Sequence, residues 1–99
     1  ALEAQGKPDE ALKSFNEELA ILERLSLADP GNVDLQRSVA VSQGHLAEMY
    51  RRANDRDNAL SALRQGQAAM TRVVMRAPDN AGWKKDLDWF NEQIETFPE

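Results

Sequence analysis

The chain matches itself at a displacement of 48 residues: Asp9 falls on Asp57, Ala11 and Leu12 on Ala59 and Leu60, Ala20 on Ala68, Arg24 on Arg72, Pro30 on Pro78 and Asn32 on Asn80. Other aligned positions keep their character, including Phe15 with Leu63, Leu22 with Met70, Leu25 with Val73, Leu35 with Trp83, Val39 with Leu87 and Leu46 with Ile94. These matches sit at turn and core positions, where a structural repeat needs them. Such a repeat constrains the fold strongly, because each copy is a supersecondary unit that buries its apolar face on its neighbours.

Within each copy the spacing is helical. Ala11, Leu12, Phe15, Leu19, Leu22 and Leu25 step by three and four, as do Leu35, Val39, Ser42, Leu46 and Met49, and neither run alternates with period two. Helix breakers separate the runs: Gly6-Lys7-Pro8, Asp29-Pro30-Gly31-Asn32, Asn54-Asp55, Pro78-Asp79-Asn80 and Pro98. Asn32, Asp55 and Asn80 can each offer a side-chain oxygen to the free amides of the helix that follows, and Pro8 suits a first helical turn. The spacing predicts helices over 8–28, 33–53, 56–76 and 80–96.

Turns this short make neighbouring helices antiparallel. The predicted class is all-α, with helix-turn-helix repeats stacked one on the next; a closed four-helix bundle is the alternative, but a bundle has no reason to repeat its turn chemistry in alternate loops. The organisation is a single helical domain over 1–99, with a half repeat at 1–30, a full repeat at 31–78 and a terminal helix at 79–99. Ala1 to Gln5 read as the end of a preceding helix, so a C-terminal fragment of a longer array is expected.

Composition narrows the function classes. A single core in 99 residues leaves little room for a deep catalytic cavity. No run approaches the roughly 20 apolar residues of a membrane span, so no membrane partner is expected. Without Cys there is no disulfide framework and no thiolate metal site, and a cytoplasmic location is the default. Residues 1–34 carry eight acids and three bases, whereas 35–99 carry nine of each, so the net charge of −5 belongs to the first third. An acidic surface with no basic stripe argues against nucleic acid as a partner.

Leu46-Ala47-x2-Tyr50 followed by Ala59-x3-Leu63 resembles the core of a tetratricopeptide repeat, and Ala11-x3-Phe15 resembles the second helix of the repeat before it, with Gly6 at the preceding turn. Gln43 stands where the family often has Trp, and Ala47 where it has Gly. Pro30 and Pro78 come seven residues later than the family's closing proline. Two insertions of seven lengthen the usual repeat of about 34 residues to 48 while preserving helical phase. The chain is similar to the long-repeat tetratricopeptide variants of bacterial signalling and scaffold proteins. That resemblance implies a short right-handed superhelix whose first helices line a concave, partner-binding groove.

Catalytic chemistry finds no support in the residues. His45 is the only histidine, which rules out a metal site of two imidazoles from one chain, and its mid-helix place beside Leu46 suits a surface histidine. Glu17 and Glu18 are adjacent on a helix and point apart, and Glu92 and Glu95 lie on a polar face. No Gly-rich phosphate loop or strained nucleophile turn occurs. No enzyme activity, cofactor or metal is expected.

A protein or peptide partner is the leading expectation. Carried over from the resemblance, the inner track is Arg37, Val41, Gly44, His45, Glu48 and Arg52 on one helix, with Lys85, Trp89, Glu92 and Gln93 on the next. Trp89 lies off the core stripe of Trp83, Leu87, Phe90, Ile94 and Phe97, where an indole can anchor a ligand side chain or pack against neighbours. Arg37 and Lys85, which are 48 apart, could receive a carboxylate or balance Asp34 and Asp86. Gly44 and Glu48 replace the groups of a carboxylate clamp, which excludes that ligand class. The alternative is self-association through Leu12, Ile21 and Leu22, giving a homo-oligomer, or a regulatory domain within a larger protein.

Overall fold

A computed structural model describes residues 2–97, with side chains from residue 10 onward. The described chain is all-α: α1 spans Leu2–Ala28, α2 Val33–Arg52, α3 Arg56–Arg76 and α4 Ala81–Glu95. All three expected caps form. Asn32 Oδ1 accepts from the Leu35 amide at 3.1 Å, Asp55 Oδ1 from the Asn58 amide at 3.3 Å, and Asn80 Oδ1 from the Trp83 amide at 3.0 Å. Each supplies a partner to an amide that the helix itself leaves without one.

The turns carry the 48-residue relationship into three dimensions. The Asn32 amide donates to the Asp29 carbonyl at 3.0 Å, and the Asn80 amide donates to the Ala77 carbonyl at 3.1 Å, with Pro30 and Pro78 as the second residue of each turn. The intervening turn is built differently. Asn54 takes a left-handed φ of 61°, the Asp55 amide reaches back to the Tyr50 carbonyl and the Asn54 amide to that of Arg51. This is a Schellman closure with asparagine at the left-handed position, and Asp55 at once caps the next helix.

Residues 6–8 depart from the expected turn. α1 runs without interruption from Leu2 through Gly6-Lys7-Pro8, and Leu2–Gln5 belong to the same helix. A proline inside a helix forfeits one hydrogen bond and crowds the carbonyl one turn back, so this continuation runs against local propensity. The Pro98 breaker lies outside the described residues.

Extensive packing runs in chain order: α1 on α2, α2 on α3 and α3 on α4. Among the described residues, α1 and α4 share no seam of comparable extent. The radius of gyration of 14.1 Å exceeds the ~13 Å of a compact 100-residue domain, in keeping with a stack. Leu46, Leu63, Met70 and Val73 are completely enclosed, each contributing about 1.5–3 kcal/mol of burial. Trp83, Leu87, Ile94 and Phe97 pack on this core around buried Phe90, the stripe expected for the last helix.

The repeat is unequal in burial. Ala69 and Val73 of α3 are 4% and 0% exposed, whereas their α1 equivalents Ile21 and Leu25 are 51% and 48% exposed. The reason is topological: α3 lies between α2 and α4, while among the described residues α1 packs extensively only on α2.

Candidate functional site

Two mid-helix glycines shape the surface between α2 and α4. Gly44 is buried on α2, and a Cβ there would lie 3.4 Å from Phe90 Cζ and 3.5 Å from Trp89 Cζ3. Gly66 on α3 lies under the same phenyl ring. Glycine inside a helix costs about 1 kcal/mol relative to alanine, and here it admits the ring of Phe90 to the junction of three helices. Trp89 then stands edge-on to Phe90, with ring centroids 5.0 Å apart and an interplanar angle of 83°.

Polar contacts tie α2 to α4 at both ends of this surface. Arg37 donates through Nε and Nη2 to Asp86 Oδ2 at 3.3 and 3.1 Å. At the other end Arg51 Nη1 donates to Gln93 Oε1 at 3.0 Å and to Glu48 Oε1 at 3.4 Å. Between them runs an open groove of about 320 Å³ with Gly44 and Phe90 at its base and Val41, His45, Glu48, Asp86 and Trp89 around it. Trp89 remains 38% exposed.

The groove brings together Val41, His45, Glu48 and Trp89 of the expected track. Arg37 and Gln93 stand at its two ends, each already engaged across the α2–α4 gap. Arg52 and Lys85 are exposed and do not line it. Arg37 and Lys85 therefore do not form a joint carboxylate receptor, because Asp86 occupies the guanidinium. Phe90, which reads in sequence as pure core, is also the groove floor, and Arg51 was missed. The legible signal for the floor was a glycine in the middle of each of two amphipathic helices.

His45 is exposed and tilts against Phe15 of α1, ring centroids 5.8 Å apart. Beside it a second crevice of about 310 Å³ lies between α1 and α2, lined by Phe15, Glu18, Leu22, Ser38 and Ser42 together with Arg37, Val41 and His45. Among the proposed self-association residues, Leu12 packs against the core, Leu22 lines this crevice and only Ile21 is exposed. Among the described residues, no three His, Asp or Glu side chains gather as metal ligands, and no helix is long and apolar enough to cross a membrane. Comparison with family models, curated proteins and solved structures finds no match to this chain.

Proposed function

We propose that this chain is a non-catalytic protein-interaction module of tetratricopeptide type, which receives a peptide segment of a partner protein in the α2–α4 groove. The observation that carries the reading is Trp89: an indole 38% exposed, braced edge-on by Phe90 and set beside a glycine that keeps the groove open. A rigid aromatic held by its neighbours loses little freedom on binding, which is why such residues dominate interfaces. The repeated turns and serial packing support the tetratricopeptide assignment, and the motifs around Leu46, Tyr50 and Ala59 add to it.

The test is selection of a random twelve-residue peptide library displayed on phage against the 99-residue protein. Peptides that use the groove are retained by the parent chain, lost on Trp89→Ala and weakened by Glu48→Lys, while Arg64→Glu on the exposed side of α3 has no effect. Retention indifferent to Trp89 and Glu48 would refute the assignment of this groove.

Self-association is the second reading, favoured by the exposure of Ile21 and Leu25 where α3 buries Ala69 and Val73. Light scattering over a wide concentration range tests it: a concentration-dependent mass supports pairing through α1, and an unchanging monomer mass rejects it.

A further inference from the structure

The two copies of the repeat differ at one helix–helix contact. In the α3–α4 pair, the ring of Phe90 fills the space over Gly66, where a Cβ would stand 2.6 Å from Phe90 Cζ. The positions 48 residues earlier are Ser42 and Glu18. Serine supplies no ring, and the 310 Å³ crevice opens at that point, with Ser42 and Glu18 on its walls beside Phe15 and Leu22. The α3 counterparts of Phe15 and Leu22 are Leu63 and Met70, which are 1% and 0% exposed. The α1–α2 pair thus holds open a space that its sister pair fills with an aromatic side chain.

This crevice adjoins the groove across Val41 and His45, which border both. Glu18 lines the crevice, and Glu48 and Asp86 line the groove. Asp86 is paired with Arg37 and Glu48 with Arg51, which leaves Glu18 as the lining carboxylate without an ion pair among the described residues. Two adjoining apolar pockets with an uncompensated carboxylate at the crevice complement a basic residue flanking apolar ones.

We propose that the α1–α2 crevice is a second anchoring subsite, which takes an aromatic or large apolar side chain from a basic peptide segment whose first anchor sits at Trp89. The inference rests on the groove reading above and adds the partner's chemistry. The two anchors lie on either side of α2, about 10 Å apart, which is roughly one helix diameter and about three residues of extended chain.

The peptides retained in a Trp89-dependent manner supply the probe. Their expected signature is two apolar or aromatic residues about three apart with Lys or Arg nearby. In amide NMR titrations such a peptide shifts the signals of Ser38 and Ser42 as well as those of Gly44 and Trp89. The double substitution Glu18→Gly with Ser42→Phe, which copies the Gly66–Phe90 contact, fills the crevice. It abolishes the shifts around Ser38 and weakens binding about tenfold or more, while the response at Trp89 persists. Glu18→Lys, at an exposed position where folding is not at stake, also weakens basic peptides and decides the matter if the double variant does not fold.

Peptides that shift only the Gly44 and Trp89 signals and ignore both variants would overturn the second subsite and leave the groove reading intact. Acidic or single-anchor sequences among the retained peptides would overturn it too. If no retained peptide depends on Trp89, both readings fail together.

Discussion

Phe90 sits directly on Gly66, across the α3–α4 interface, with a hypothetical Cβ at position 66 falling 2.6 Å from Cζ of the ring and nearer still to Cε1. The same ring touches the space over Gly44, so one side chain from α4 is seated in notches on two other helices. Gly66→Ala gains about 1 kcal/mol of helix propensity but forces a buried ring aside, at about 1–3 kcal/mol. The expected outcome is a net loss of about 1 kcal/mol, read as a lower urea midpoint with unchanged slope. A rise in that midpoint would mean that Phe90 is not held where it is placed.

Gly44→Ala behaves in the opposite way. Its Cβ would meet Phe90 and Trp89 at ordinary contact distances, so the propensity gain of about 1 kcal/mol is largely kept. The added methyl narrows the groove floor. We expect a melting temperature raised by a few degrees together with weaker retention of Trp89-dependent peptides.

The turns separate two kinds of asparagine. Asn32→Ala and Asn80→Ala each remove a cap and cost about 1 kcal/mol. Asn54→Ala costs about 1–2 kcal/mol for a different reason, because alanine resists the left-handed φ of 61° that closes α2. Asn54→Gly, by contrast, is tolerated without loss. Thermal melts of the four variants check both statements, and an Asn54→Gly protein as unstable as Asn54→Ala would show that the asparagine side chain matters and not its backbone.

Arg37 and Asp86 form a partly exposed pair, with side chains 41% and 36% accessible. Such a pair contributes below about 1 kcal/mol. Asp86→Asn is expected to change stability by that small amount, with the difference shrinking as salt is raised to 0.5 M. Its larger consequence is to release Arg37 beside the α1–α2 crevice, where the freed cation weakens capture of basic peptides.

If α1 pairs with a second copy, Ile21→Asp lowers the scattering mass at high concentration and leaves the melting temperature of the dilute protein nearly unchanged, because Ile21 is already half exposed. A dimer indifferent to this substitution would have to use another surface.

Much of the fold was legible in the residues. The helix ends at 28, 33, 56 and 76 follow from cap and breaker chemistry that acts within a few residues, and the repeat of the Pro30 and Pro78 turns follows from like sequences closing alike. Gly6-Lys7-Pro8 reads as a turn but lies inside α1, because a breaker permits a turn without requiring one. For the groove, the inner track that the resemblance implies names Val41 and Trp89, which line one pocket. The reading that Arg37 and Lys85 balance Asp34 and Asp86 names the acid that Arg37 meets, but which cation takes it depends on how α2 and α4 pack.

The sequence by itself determined that the described residues form four helices, where three of them start, and most of the stripe that each turns inward, Leu25 being left half exposed. Those properties depend on local propensity, capping and periodicity. Tertiary structure alone decided that Phe90 fills a space which Ser42 leaves open, that Trp89 stays partly exposed, and that Ile21 lies outside while Ala69 lies inside. Equivalent positions in a repeat share their chemistry but not their neighbours, and burial belongs to the neighbours.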